Sequence, residues 1–213
     1  GMLTNTVEGL SPGTGNHSAL TDVKGNTQAD MWVFNTGDTI RIETEPGVQQ
    51  KVSSFLDRYI IADDVEIVDE TEDLHIVGIQ GPKALRVVQD LVVASIDLEM
   101  NGNVIPEDDG SVRMVGRRSY TGEDGFDLWV PSDKAPDVYR LAVEAGAVPA
   151  GEEALEGLRI ESGIPKYGTD VDDRVVPLEG GIRDTVDFTK GCFIGQEVLG
   201  KMQNIGKPRR FLV

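Results

Sequence analysis

The chain has 213 residues, 39% of them hydrophobic and 27% charged, and its 37 acids against 20 bases give a formal net charge of -17. That length suits one domain with a sizeable core, and the apolar content excludes intrinsic disorder. The sign of the charge argues against DNA, RNA and anionic membranes as partners. The longest apolar runs, such as Leu91 to Ala94, fall far short of a bilayer span. Gly1 before Met2 reads as a remnant of expression, and no charged-then-apolar leader follows, so a cytoplasmic protein is expected. The single cysteine, Cys192, excludes an intrachain disulfide, a CxxC redox pair and a four-cysteine metal site, and no metal site is expected.

Met2 to Gly15 is turn-rich, with Ser11-Pro12-Gly13 as a loop signal. Strands are expected at Ala29–Phe34 and Thr39–Glu43, joined by the turn Asn35-Thr36-Gly37-Asp38. Residues 47–60 place Val52, Phe55, Leu56 and Tyr59 at helical spacing. Seven acids and no base lie between Ala62 and His75; alternating Val65, Ile67, Leu74 and Ile76 make this a solvated strand face with its turn, giving strands near 64–68 and 73–79. A helix then runs from Pro82 through Val92 on the stripe Leu85, Val88, Leu91, Val92.

A second cycle repeats the pattern. Strands are expected at 111–118 and 125–130, then a helix capped by Ser132 and running to about Ala145. Another helix spans about Gly151 to Ser162 with Gly163 as its stop, and a last one lies near Phe193–Leu199. Strand pairs alternating with single helices indicate an α+β fold with mainly antiparallel sheets, and no linker divides the chain.

Three segments could carry chemistry. In the helix at 151–162 the stripe Ala154, Leu155, Leu158 leads by spacing to Glu161, which sets a carboxylate on the inward face. Such a group needs a partner, either a base such as Arg159 or Arg183, or the paired N–H donors of a ligand ring. Tyr120-Thr121-Gly122-Glu123-Asp124-Gly125-Phe126 joins two strands by more residues than a tight hairpin needs, although its two glycines suit a plain turn. Lys190-Gly191-Cys192-Phe193-Ile194-Gly195-Gln196-Glu197 sets a thiol at or just before a helix N-terminus and beside a lysine, two features that favour thiolate, although a lone cysteine is more often a small buried hydrophobe. With only His17 and His75 in the chain, a cysteine–histidine protease mechanism is disfavoured.

Together these motifs bear a resemblance. YTGEDGF at 120–126, followed by Asp127, resembles the signature turn of the glycine-cleavage T-protein superfamily, the aminomethyltransferases. The run from Arg159 to Asp170, with Pro177-Leu178-Glu179 after it, is similar to that superfamily's R-x-E-x-G-x-P-x-x-G stretch and following P-x-E. Leu3-Thr4-Asn5 resembles its L-T-N-D segment, and Lys24-Gly25 with Ala29-Asp30 its G-x-x-x-D-D strand entry. KGCFIGQE at 190–197 resembles a narrower signature, that of the YgfZ-type folate-binding proteins.

The resemblance implies an α+β tetrahydrofolate-binding domain, which in relatives is followed by a small C-terminal barrel. Against that pattern the chain reads as a single domain over 1–213, trimmed at both ends and without the barrel. Carried over by position, Glu161 becomes the pterin-holding carboxylate, and Tyr120, Glu123 and Asp124 shape the channel mouth. Glu179 and Arg183 lie near the ligand, and Lys190, Cys192 and Gln196 form the YgfZ-specific group. Asp30 matches the aspartate that assists transfer of an aminomethyl carbon from a lipoyl arm to folate, while Ala29 replaces its acidic neighbour. The leading expectation is a YgfZ-like tetrahydrofolate-binding protein that supports iron–sulfur cluster assembly or maintenance, with an iron–sulfur or lipoyl protein as partner. The alternatives are a folate-dependent aminomethyltransferase and a non-catalytic scaffold. Loss of terminal elements would expose apolar surface and favour a homodimer.

Overall fold

A computed structural model describes residues 1–61, 64–92, 95–107, 110–204 and 206. Two antiparallel sheets dominate it. The first holds β1 (Gly15–Thr21), β2 (Thr27–Asn35) and β3 (Ile40–Thr44) in that order. The second holds β4 (Leu74–Gln80), β5 (Asn103–Val104), β6 (Met114–Arg117) and β7 (Gly125–Pro131) in the order β4-β7-β6-β5. The α+β fold with antiparallel sheets and packed helices is as expected.

Strand alternation gives the first sheet two different faces. On one face Leu20, Ala29, Met31 and Val33 join Leu3 and the helix α1 (Gln49–Asp57), which contributes Val52 and Leu56. On the other face the register sets His17 opposite Trp32, Ala19 opposite Asp30, and Glu43 opposite Trp32. That face is polar and aromatic, and it meets the second sheet where Phe34, Met114 and Trp129 pack together. Gly116 on β6 allows this approach: a Cβ there would stand 2.8 Å from the Trp129 ring.

The second sheet turns its apolar face the other way. Ile79, Val115, Phe126, Leu128 and Val130 pack with Val88 and Val92 of α2 (Ala84–Val92) and Val138 and Ala142 of α3 (Ala135–Glu144). Asp127 and Trp129, one step out of phase on β7, therefore point at the first sheet. Further along the chain come α4 (Glu152–Glu161), a single 3₁₀ turn at Arg183–Thr185, and α5 (Gln196–Asn204).

Several local expectations are corrected. Residues 15–21, of which only Gly15 belongs to the turn-rich start and the rest are assigned no element from sequence, form β1, because β2 offers them a full ladder. Residues 64–68 form no strand; Val65 is 61% exposed and Val68 66%, so their alternation marks no buried face, and Ala62 and Asp63 lie outside the described residues. Ser132 does not cap α3, whose N-cap is Lys134; its hydroxyl instead donates to the Glu72 carbonyl at 2.7 Å. The end of the sequence, 198–213, carries four bases and no acid, and three of those bases, Lys207, Arg209 and Arg210, also lie outside the described residues. Among the described residues no helix is long and apolar enough to cross a membrane.

Candidate functional site

The seam between the sheets holds a continuous row of rings. The His17 imidazole stacks on the Trp32 indole with centroids 4.1 Å apart and planes 10° from parallel. The Arg118 guanidinium lies 3.2 Å from the Trp32 ring centroid and 4.2 Å from that of Tyr120. Because His17, Trp32 and Glu43 are directly opposed on three adjacent strands, one register brings the row and its acid together.

At the Arg118 end, Glu43 on β3 forms an ion pair with the guanidinium. The Tyr120 hydroxyl donates to Asp127 Oδ2 at 2.8 Å and approaches Glu43 Oε1 at 3.3 Å. Arg118 and Glu43 are buried and Asp127 is wholly so. Burial pushes the Glu43 carboxyl up to about 8, although Arg118 pulls it down. It pushes Asp127 up to about 6 against the pull of Arg118 and the Tyr120 hydrogen bond. One guanidinium cannot neutralise two buried carboxylates, so at neutral pH a proton stays with the pair.

At the other end, His17 Nδ1 lies 2.8 Å from Asp184 Oδ2 and Nε2 lies 3.3 Å from Asp30 Oδ2. Burial works against the charged ring, but the hydrogen bonds and charges of Asp184 and Asp30 outweigh it and hold the His17 pKa above 6.5. Asp30 is 2% exposed, and its other oxygen, Oδ1, is buried with no hydrogen-bond partner. The 3₁₀ turn carrying Asp184 is fixed by the start of the chain. Thr4 Oγ1 donates to the Thr185 carbonyl at 2.6 Å, and Asn5 Nδ2 donates to the carbonyls of Asp184 (3.1 Å) and His17 (2.8 Å).

Of the residues expected to act, Asp30 and Tyr120 lie in this row and the others do not. Glu161 is exposed at the end of α4. The inward residue of that helix is Arg159, which pairs with Glu156 and with Asp170 at 2.6 Å and donates to the Ile164 carbonyl. The apolar stripe does not mark the buried face, because Leu155 and Leu158 are themselves 38% and 47% exposed. Glu123 is exposed in its turn, while Asp124 accepts from Arg117 at 2.6 Å. Arg183 is exposed and reaches Gln203, and Glu179 is half-buried in the turn that follows Val176.

Cys192 is exposed and lies four residues before α5, which begins at Gln196 rather than near Phe193 as expected. Lys190 is committed elsewhere. Its Nζ donates to the carbonyls of Leu3 and Asn5, both at 2.7 Å, and burial lowers its pKa. Gln196 is half-buried and opens α5. The KGCFIGQE segment therefore clasps the start of the chain, and the Thr21 hydroxyl anchors it by donating to the Ile194 carbonyl. A depression of about 450 Å³ lined by Arg41, Glu70, Asp73, Leu74, Arg113 and Pro131 includes none of these residues.

His17, Trp32, Glu43, Arg118 and Asp184 escape a reading of the sequence. The one available signal is β-alternation carried across three strands, which needs the register of β1 to be known.

Comparison with known proteins shows the family. The chain is 34% identical over 215 residues to an aminomethyltransferase of Rubrobacter xylanophilus, covering 99% of this chain and 57% of that one. It is 31% identical over 214 residues to an aminomethyltransferase of Exiguobacterium sibiricum, covering 99% and 59%. Its fold matches the crystal structure of the glycine cleavage system aminomethyltransferase T from Bartonella henselae with a TM-score of 0.80 at 22% identity, over 95% of this chain and 56% of that one. The chain thus spans less than two thirds of the length of these relatives. Residues 1–190 match the model of the GCVT N-terminal domain, and the chain belongs to that family.

Proposed function

We propose that this domain binds a reduced folate and takes part in one-carbon transfer of the aminomethyltransferase kind, with Asp30 facing the ligand. The observation that carries this reading is Asp30 Oδ1, a buried carboxylate oxygen without a partner on the residue that the family motif marks; Glu43 Oε2 and Asp127 Oδ1 are likewise unpartnered, at the Arg118 end of the row. A buried acceptor left unpaired costs about 1–3 kcal/mol. An N–H donor or a cationic nitrogen placed there removes that cost, and tetrahydrofolate carries such donors, so the group fits at this point. The carboxylate would stabilise positive charge that develops at nitrogen or at the transferred carbon. Arg118 and Tyr120 fill the seam beside Trp32.

The names of the relatives favour this reading over iron–sulfur support, which rested on KGCFIGQE alone. That segment has a structural task here through Lys190. Calorimetric titration with tetrahydrofolate tests the proposal. Binding is expected in the native chain and should weaken at least tenfold in Asp30→Asn; binding unchanged by that substitution would overturn the assignment. Formation of methylene-tetrahydrofolate from an aminomethyl-lipoyl donor separates a transferase from a carrier that binds without reacting.

A further inference from the structure

Two carboxylates face one imidazole, and each meets a ring nitrogen. Oxygens of ionised carboxylates only accept, so both nitrogens must donate for both approaches to be hydrogen bonds. A neutral ring has one N–H and would turn a lone pair toward one of the acids. Asp184 holds the closer nitrogen, at 2.8 Å, and would keep that N–H in a neutral ring, leaving Nε2 without a proton to donate to Asp30 at 3.3 Å.

We propose that His17, doubly protonated and clamped between Asp184 and Asp30, is a positioning residue that pins Asp30 Oδ2 and so leaves Oδ1 turned to the one-carbon ligand. The proposal deepens the folate-transfer reading and rests on it for the identity of that ligand. Three constraints fix the ring. Trp32 stacks against its plane, Asp184 holds Nδ1, and the Asn5 amide holds the His17 carbonyl. The charged and titratable groups around it are Asp30 on β2 and Asp184 on the 3₁₀ turn, with Arg118 packed on Trp32 and Glu45, after β3, close enough to feel the charge of Asp30. Asp184 is 67% exposed at its side chain, which makes it the one member that can be altered without opening the core.

A carboxylate pinned through one oxygen keeps its other oxygen in one direction. A misplacement of about 1 Å costs a transfer reaction on the order of a hundredfold. Above the pH at which His17 releases its proton the pin is gone, so turnover should fall on the alkaline side while the ligand still binds.

The test has two arms. In His75→Gln protein, which leaves one imidazole, ¹⁵N spectra of the ring are followed with pH. Two protonated nitrogens are expected above pH 6.5, the value of an unperturbed histidine, with the transition moving about one unit lower in Asp184→Asn and in Asp30→Asn. A ring with a single N–H at pH 6.5 overturns the clamp. In the second arm, His17→Gln should lower kcat about a hundredfold at saturating tetrahydrofolate with KM changed less than about threefold. Asp184→Asn should shift the alkaline limb of the rate profile to lower pH. A His17→Gln protein with wild-type kcat and profile overturns the proposal. If the chain transfers no one-carbon unit at all, the folate reading fails by itself, and the ring's protonation still decides for or against the clamp.

Discussion

The two ends of the ring row share one architecture and differ in their access to water. At the Arg118 end, Glu43, Asp127 and the guanidinium are all buried, and the phenol of Tyr120 completes the set. At the His17 end, Asp30 is as deep as these, but Asp184 reaches solvent. A sealed cluster can only balance its charge internally, by ion pairing and by keeping a proton. An open one can exchange protons and admit a ligand. On the proposed reading the sealed end is a device of the fold and the open end a place for chemistry, although both hang on the same Trp32.

The largest effect expected from this contrast is on stability. Arg118→Leu would leave two acids buried without their cation and remove the guanidinium from two rings. A loss of about 3–5 kcal/mol is expected by urea unfolding, because breaking a buried pair strands its partner. The matching change at the open end, Asp184→Asn, should cost less than about 1 kcal/mol, since that side chain is mostly in water. Equal losses at the two ends would break the distinction.

The pH dependence sharpens it. The folded Glu43 carboxyl keeps its proton up to about 8, whereas the unfolded one releases it near 4.5. Between those values the unfolded state gains by ionising, so stability falls as pH rises across that window. Asp127 adds the same sign between 3.8 and about 6. His17, whose pKa is raised, contributes stability that is full below 6.5 and is lost as pH rises through its folded value. Unfolding curves from pH 5 to 9 should therefore slope downward. Glu43→Gln should remove its share of the slope from pH 5 to about 8, and Asp184→Asn only the part lost through the His17 transition above 6.5. If Asp184→Asn also flattens the slope between pH 5 and 6.5, the ends are electrostatically one cluster.

A smaller effect concerns the clasp. Lys190→Met removes two hydrogen bonds to backbone carbonyls at a half-buried site and should cost about 1–3 kcal/mol. Through Leu3 and Asn5 the change should also loosen Asp184, so the His17 transition should move lower with it. Nothing in the sequence around Lys190 points to the start of the chain, because the hydrogen bond to Leu3 spans 187 residues. Local pattern shows helices such as α1 and α2, whose stripes of Val52 and Leu56 or Val88 and Val92 are set by near neighbours. It does not show β1, where Gly15-Asn16-His17-Ser18 has little strand character and the ladder with β2 supplies it. The site is hidden for the same reason. Asp30 is visible through a motif, but its partners His17 and Asp184 come from a strand that local pattern misses and from a turn beside an exposed arginine.

The smallest expected effect on stability is at Glu161, and it bears on where the ligand site ends. The side chain is exposed, so Glu161→Ala should change stability by no more than about 0.5 kcal/mol. Its effect on folate binding is the informative measurement. The neighbouring Ser162 hydroxyl donates to the Thr121 carbonyl at 2.5 Å, which fixes the end of α4 against the YTGEDGF turn. If Asp30 is the main polar anchor, Glu161→Ala should leave tetrahydrofolate affinity within about threefold. A loss of tenfold or more at unchanged stability would mean that the ligand also lies across the Thr121–Ser162 junction. In that case the open end of the row would be one wall of a wider site, with the exposed end of α4 as its other wall.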